Sequence, residues 1–372
     1  NPEVRKAMYD VTRFWLDKGV AGFRLDAIDT LFEAKDLRNA KEGPGKNAYG
    51  DPVADFTLQS KQPLVHEVLR ELRAVADSYK DDRLLIGEIY TKDVTELQPW
   101  YGKKNDELQL PMDTHLVAIK KFTVPEFRTR LVDAQTKLNG HIPLLVTDNH
   151  DQPRSWDRLG NGKNDEAIAK INAMALLGTR STALVYYGQE LGMVTSVPTS
   201  KEVVKDPIGI IGWPEEKGRD GERTPMQWNG NKNAGFTTGT PWLPVPASAK
   251  TTNIADATSR PDSLLSWYRG LLGLRKTNAS FQGSTKFLDL DHDGVLGFVR
   301  NAESFNGNPV VLFANFGTTP VTVSVKADLK ALKVSGTGLV RLLATDEATA
   351  TKATLEGIEL PPFGVYIGEV KK

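Results

Sequence analysis

The chain has 372 residues, 40% hydrophobic and 8% aromatic, with 47 basic and 47 acidic side chains. That length suits one large domain plus a small one, and the balanced charge provides no field favouring nucleic acid or an anionic membrane. Without cysteine, disulfides, thiolate metal sites and cysteine nucleophiles are excluded, and no apolar run approaches the roughly 20 residues that span a bilayer.

The chain opens on a helix. Asn1 can cap it, Pro2 suits the first helical position and Glu3 favours the positive end of the dipole. Val4, Ala7, Met8, Val11, Phe14 and Trp15 recur at helical spacing as an amphipathic stripe. Lys18 and Gly19 supply a stop, and residues 20–27 read as a short buried strand. A helix follows over 63–79, with Val65, Val68, Leu69, Leu72, Val75 and Tyr79 on one face, and then a strand over 84–88.

Further strands are predicted over 107–112, 142–147 and 182–187, with helices over 127–138 and 166–177 before the last two. This alternation predicts an α/β fold with a parallel sheet, helical crossovers and five strand units. Residues 199–260 lose the rhythm, and so long an irregular stretch is usually functional or an insertion. Residues 263–276 are helical again. From about Phe281 the runs VLGFVRN, PVVLFANF and VTVSV, separated by turn residues, predict a small antiparallel β domain. The predicted division is residues 1–280 and 281–372.

Three segments carry candidate chemistry. In GFRLD, alternation puts Arg24 and Asp26 on one face and Phe23 and Leu25 on the other. A buried carboxylate beside a guanidinium stays ionised, as a nucleophile must, although a core ion pair reads equally well. In LIGEIY, Glu88 follows an apolar strand beside Gly87. An apolar setting would keep its carboxyl protonated for acid catalysis; the bland alternative is a helix cap in the next loop. In LLVTDNHDQPR, six polar or ionisable groups cluster directly after an apolar strand, which favours function over a mere turn. Carboxylates at the same ends of three parallel strands suggest a carboxylate-based hydrolase on a barrel.

These segments resemble the shared regions of the α-amylase family (glycoside hydrolase family 13). GFRLDAID is similar to its fourth-strand motif, GEIY to its fifth and TDNHDQPR to its seventh, in family order. ALVYYGQELGM resembles the eighth strand, and GRDGERTPMQWN is typical of the α-glucosidase and oligo-1,6-glucosidase branch. The resemblance implies the C-terminal part of a TIM (β/α)8 barrel followed by a β-sandwich domain. It implies a retaining, exo-acting α-glucosidase working by double displacement on small α-glucosides, with no organic cofactor. Asp26 would be the nucleophile and Glu88 the general acid/base. Asp151, with His150 beside it, would brace the sugar hydroxyls. Arg24 would hold Asp26 ionised, and Arg223 would grip the far hydroxyl of the terminal glucose. A small residue at Ala27 favours α-1,4 over α-1,6 linkages.

The resemblance also carries expectations about what surrounds the chain. Its first strand matches the family's fourth, so the first three units, a pocket histidine, an aspartate partner for Arg223 and a possible calcium loop would lie outside it. The chain is therefore expected to need an N-terminal portion of the same polypeptide to complete the barrel. Transglucosylases, trehalose synthases and sucrose isomerases of the family share Asp26, Glu88 and Asp151 and remain alternatives, as does a non-catalytic partner subunit. Other motifs are declined. Residues 289–294 mimic an EF-hand start, but Arg300 stands at the twelfth position. His66, sharing a helix face with Arg70, Arg73 and Asp77, is expected on a solvated surface. His115 and His141 show no ligand pattern, so zinc is not expected.

Overall fold

The computed structural model describes residues 1–47, 50–304 and 307–371. The chain divides into two compact units, one of Asn1–His115 with Thr136–Leu145, the other of Leu116–Gln135 with Val146–Lys372.

In the first unit, helix α1 (Pro2–Asp17) is capped as its sequence predicts, the Asn1 side chain accepting from the Glu3 and Val4 amides. Strand β1 (Gly22–Leu25), the small hairpin β2 (Glu42–Lys46) and β3 (Pro52–Ala54), helix α2 (Leu64–Asp77), and strands β4 (Leu84–Gly87), β5 (Leu110–Asp113) and β6 (Leu144–Val146) follow. β1, β4, β5 and β6 pair in that order, each neighbour parallel, with Leu25 opposite Gly87. The predicted face of α2 packs on this sheet. Val65, Leu69 and Leu72 join Leu85, Ile89, Leu97 and Trp100 in one apolar cluster. Gly87 is dictated by that packing, since a Cβ there would stand 2.3 Å from a Leu108 methyl.

The α1 stripe overturns its expectation. Val4, Met8, Val11, Phe14 and Trp15 are exposed, at 48–59%, and Leu16 is the residue of the helix that is buried. The other face makes the contacts: Arg5 pairs with Glu67 and Glu71, and Tyr9 donates to Glu71 at 2.6 Å. Polar pairing, rather than burial of the stripe, orients α1 on α2.

The second unit holds α3 (Val124–Thr136), α4 (Ser155–Leu159), α5 (Asp165–Gly178), β7 (Thr182–Leu184), α6 (Pro207–Gly212), α7 (Ile254–Ser259) and α8 (Leu264–Thr277). α5 and α8 pack together, with the Trp267 indole donating to the Lys170 carbonyl at 2.9 Å. The irregular stretch from 199 to 260 is built from short helical turns, with no strand among its described residues. After it come β8 (Thr285–Phe287), β9 (Val295–Arg300), β10 (Val310–Asn315), β11 (Val321–Val323), α9 (Lys326–Ala331), β12 (Gly338–Ala344), α10 (Glu347–Ala350), β13 (Ile358–Leu360) and β14 (Val365–Lys371). Five of the strands form an antiparallel sheet in the order β12-β14-β10-β9-β8, and β11 pairs with β13. Val299, Val311, Phe313, Val323, Ile358 and Tyr366 fill the core between them. Arg300 is wholly buried and donates to the carbonyls of Gly178 and Gly283 at 2.7 and 2.9 Å.

Candidate active site

β1 and β4 deliver the first carboxylates. The parallel register that sets Leu25 opposite Gly87 continues one residue further, so Asp26 falls beside Glu88 on the same sheet face. The ladder itself extends there, the Glu88 amide donating to the Leu25 carbonyl at 3.0 Å. Arg24 lies between the two acids. One guanidinium nitrogen bonds Asp26 Oδ1, and the other is 2.7 Å from Glu88 Oε1. The second contact is an ion pair without hydrogen-bond alignment, and the buried Oε1 has no directed donor among the described residues. Glu88 Oε2 accepts the Ala27 amide at 3.2 Å.

Two expectations are corrected here. The Asp26 side chain is 79% exposed and Arg24 33%, so this is no core ion pair. β1 is an edge strand of the described sheet. Glu88 is buried, as predicted, but its setting is ionic rather than apolar, because Arg24 faces it as well as Asp26. Ala27 turns the chain sharply, at φ 37° and ψ 43°, into a short turn over Ile28–Thr30. That turn buries Asp29, which the sequence did not single out. Burial pushes the Asp29 carboxyl up, and the nearby charge of Glu88 adds to the shift.

In the second unit, the TDNHDQPR loop divides into residues that build it and residues it presents. Asp148 is buried and accepts the Ser155 hydroxyl at 2.6 Å and the Ser155 amide. The Asn149 side chain accepts the amides of Asp151 and Gln152 at 3.0 and 2.9 Å, folding the loop back on itself. Arg154, almost wholly buried, ties the loop to the Tyr187 and Glu222 carbonyls, both at 2.8 Å, and lies over the Tyr186 and Tyr187 rings.

What remains presented is Asp151 with His150. Arg223 donates to Asp151 Oδ1 at 2.8 Å and to the His150 carbonyl at 2.9 Å, and His150 Nε2 stands 3.5 Å from the same carboxylate oxygen. Arg223 thus finds an aspartate partner inside the chain. A second cation, Arg219, also meets Asp151 Oδ1 at 2.8 Å. Arg219 is in turn clamped by Asp206, whose side chain is fully buried and accepts the Arg219 amide and Nε at 2.8 Å each. That pairing holds the Asp206 carboxyl down at about 2. Sequence reasoning missed both residues. Arg219 stands within the quoted GRDGERTPMQWN motif, whereas Asp206 lies where no periodicity marks it.

A model of the α-amylase catalytic domain matches residues 1–283. The chain belongs to the α-amylase family, glycoside hydrolase family 13. Among its relatives is a probable α-glucosidase of Rhizobium meliloti, 30% identical over all of this chain and 66% of that protein. An oligo-1,6-glucosidase of Parageobacillus thermoglucosidasius is 31% identical over 86% of this chain and 61% of its own length. The solved trehalose-6-phosphate hydrolase of Bacillus licheniformis superposes with a TM-score of 0.81 at 27% identity, covering 100% of this chain and 69% of that one. The chain thus spans about two thirds or less of these curated relatives. The α/β fold with a C-terminal antiparallel β domain is that of the family's TIM-barrel enzymes.

One histidine of this α-amylase-family chain has a partner that its helix pattern does not show. His66 lies on a partly exposed helix face, its side chain 25% exposed, but it is tied to a buried acid. Its Nδ1 lies 2.6 Å from buried Glu107, which Arg70 also reaches at 2.7 Å, and its ring tilts against Trp100 at 5.0 Å. A buried carboxylate needs such partners, and Glu107 draws both from one face of α2. His115 pairs with Asp113 at 2.7 Å, and His141 stacks on Tyr101.

Proposed function

We propose that the protein is a retaining α-glucosidase that removes terminal α-linked glucose from small oligosaccharides, α-1,4 linkages preferred. The observation that carries this reading is the shared guanidinium: Arg24 touches Asp26 with one nitrogen and approaches Glu88 with the other. Adjacent strands run about 4.8 Å apart. Neighbouring carboxyls on such strands suit the separation of about 5–5.5 Å that covalent retention requires.

Asp26, exposed and held by Arg24, attacks the anomeric carbon from the face opposite the glycosidic oxygen. The bond to that oxygen breaks as Glu88 gives it a proton, leaving a β-glucosyl ester on Asp26. Esterification removes the negative charge of Asp26. Arg24 is then left to attract the Glu88 carboxylate alone, the form that must take a proton from water. Water attack releases α-glucose and restores both acids. In the second unit, Arg219 and Arg223 both hold Asp151 Oδ1, and bracing sugar hydroxyls is the role the family resemblance implies for Asp151. Water as acceptor separates this reading from transfer or isomerisation, and the products on maltose and sucrose decide between them.

A 5-fluoroglucosyl fluoride should label Asp26, visible as one modified peptide by mass spectrometry. With azide present, an Asp26→Gly variant should give β-glucosyl azide and a Glu88→Ala variant the α-anomer, because only the latter passes through the ester. Label on another residue, or the same anomer from both variants, defeats the assignment. Dominant transfer products over free glucose defeat the hydrolase reading.

A further inference from the structure

The turn carrying Ala27 forms part of the wall of a cavity of about 1210 Å³ in the first unit. Drug-sized sites usually measure about 300–1,000 Å³, so the cavity has room for a sugar and more. Ala27 is the residue whose amide meets Glu88, and Tyr90 and Thr91, close behind Glu88 in the chain, line the same space. The cavity therefore adjoins the carboxyl that protonates the departing oxygen. Phe56 and Tyr90, both exposed aromatics, line the space, and sugar faces stack on such rings.

Its charge is lopsided. Among the described lining residues are four acids, Asp29, Glu33, Asp55 and Glu96, against two bases, Lys61 and Lys92. Lys61 is already taken by Glu96 at 2.7 Å. Asp29 is only 7% exposed, and its carboxylate is met by its own backbone amide rather than by a side chain of another described residue. A buried carboxylate with so little satisfaction is costly unless a ligand or water donates to it.

We infer that this cavity receives the leaving group and selects an uncharged sugar over a phosphorylated one, with Asp29 accepting a leaving-group hydroxyl. The inference rests on the glycosidase reading above. A phosphate monoester brings a charge of about −1.5 to −2 into a space already negative, and like charges in apposition are strongly disfavoured. A neutral hydroxyl gains a charge-assisted hydrogen bond at the same place.

The test compares kcat/KM for maltose and for maltose phosphorylated at O6 of the reducing glucose, with p-nitrophenyl α-glucoside as reference. Maltose should be preferred by at least about tenfold, the scale of one uncompensated charge contact. The preference should narrow as salt is raised. Asp29→Asn should raise KM for maltose several-fold more than for the reference glucoside. Glu33→Lys, at an exposed position that leaves folding unaffected, should narrow the preference by itself. If the reference glucoside is cleaved but the phosphorylated sugar is used as well as maltose or better, this inference fails and the glycosidase reading stands. If no glucoside is cleaved, both fail.

Discussion

Ala27 occupies left-handed backbone at φ 37°, where a side chain costs about 1 kcal/mol or more relative to glycine. The strain is retained because that conformation points the Ala27 amide at Glu88 and swings the chain away from the exposed Asp26. A branched Cβ tolerates positive φ least. Ala27→Val should therefore lower stability by a further ~1–2 kcal/mol, and Ala27→Gly should raise it slightly. Urea midpoints at unchanged m-value measure this directly. A valine variant as stable as the parent would show that the turn is not strained. A larger side chain there must also reshape the turn whose amide meets Glu88.

At the scale of elements, the loop that supplies Arg219 and Arg223 is held by one buried acid. The Asp206 carboxyl sits at about 2 against an ordinary 3.8, chiefly because Arg219 bonds it. The unfolded chain binds that proton more readily than the folded one. The resulting stabilisation, about 2 kcal/mol, is fully present above pH 4 and fades as pH falls from about 4 to 2. Asp206→Asn should thus destabilise at pH 7 by about that amount, and the gap to the parent should close in acid. A gap constant down to pH 3 would mean the carboxylate charge is not what matters. The elements themselves were legible where periodicity was strong. α2 with its buried Val65, Leu69 and Leu72, and the strands before Asp26 and Glu88, stand within a few residues of their predicted positions. Asp206 was not legible, because its role depends on a contact 13 residues away across irregular chain. Nor was the ionic setting of Glu88: apolar neighbours in sequence say nothing about an arginine on the adjacent strand. The partner of His66 was hidden for the same reason, since the helix pattern cannot show Glu107 arriving from elsewhere.

Across the whole molecule, the α1 stripe is the largest conflict between pattern and packing. Val4, Met8, Val11, Phe14 and Trp15 follow helical spacing as a core-facing stripe should, yet each is about half exposed. Phe14 and Trp15 meet edge to face at 5.3 Å, so part of the stripe is a continuous aromatic surface. Soluble chains rarely leave such a patch uncovered, and exposed apolar patches promote association. The chain as it stands should bind a hydrophobic dye and associate increasingly with concentration. A triple variant, Val11→Gln, Phe14→Gln and Trp15→Gln, should suppress both. Because these side chains bury little and glutamine is a good helix former, its unfolding midpoint should move by no more than about 0.5 kcal/mol equivalent. Calorimetry alongside gel filtration separates the outcomes. Lost dye binding at unchanged stability establishes a bare apolar face, whereas a loss of several kcal/mol would show that the stripe packs within the chain.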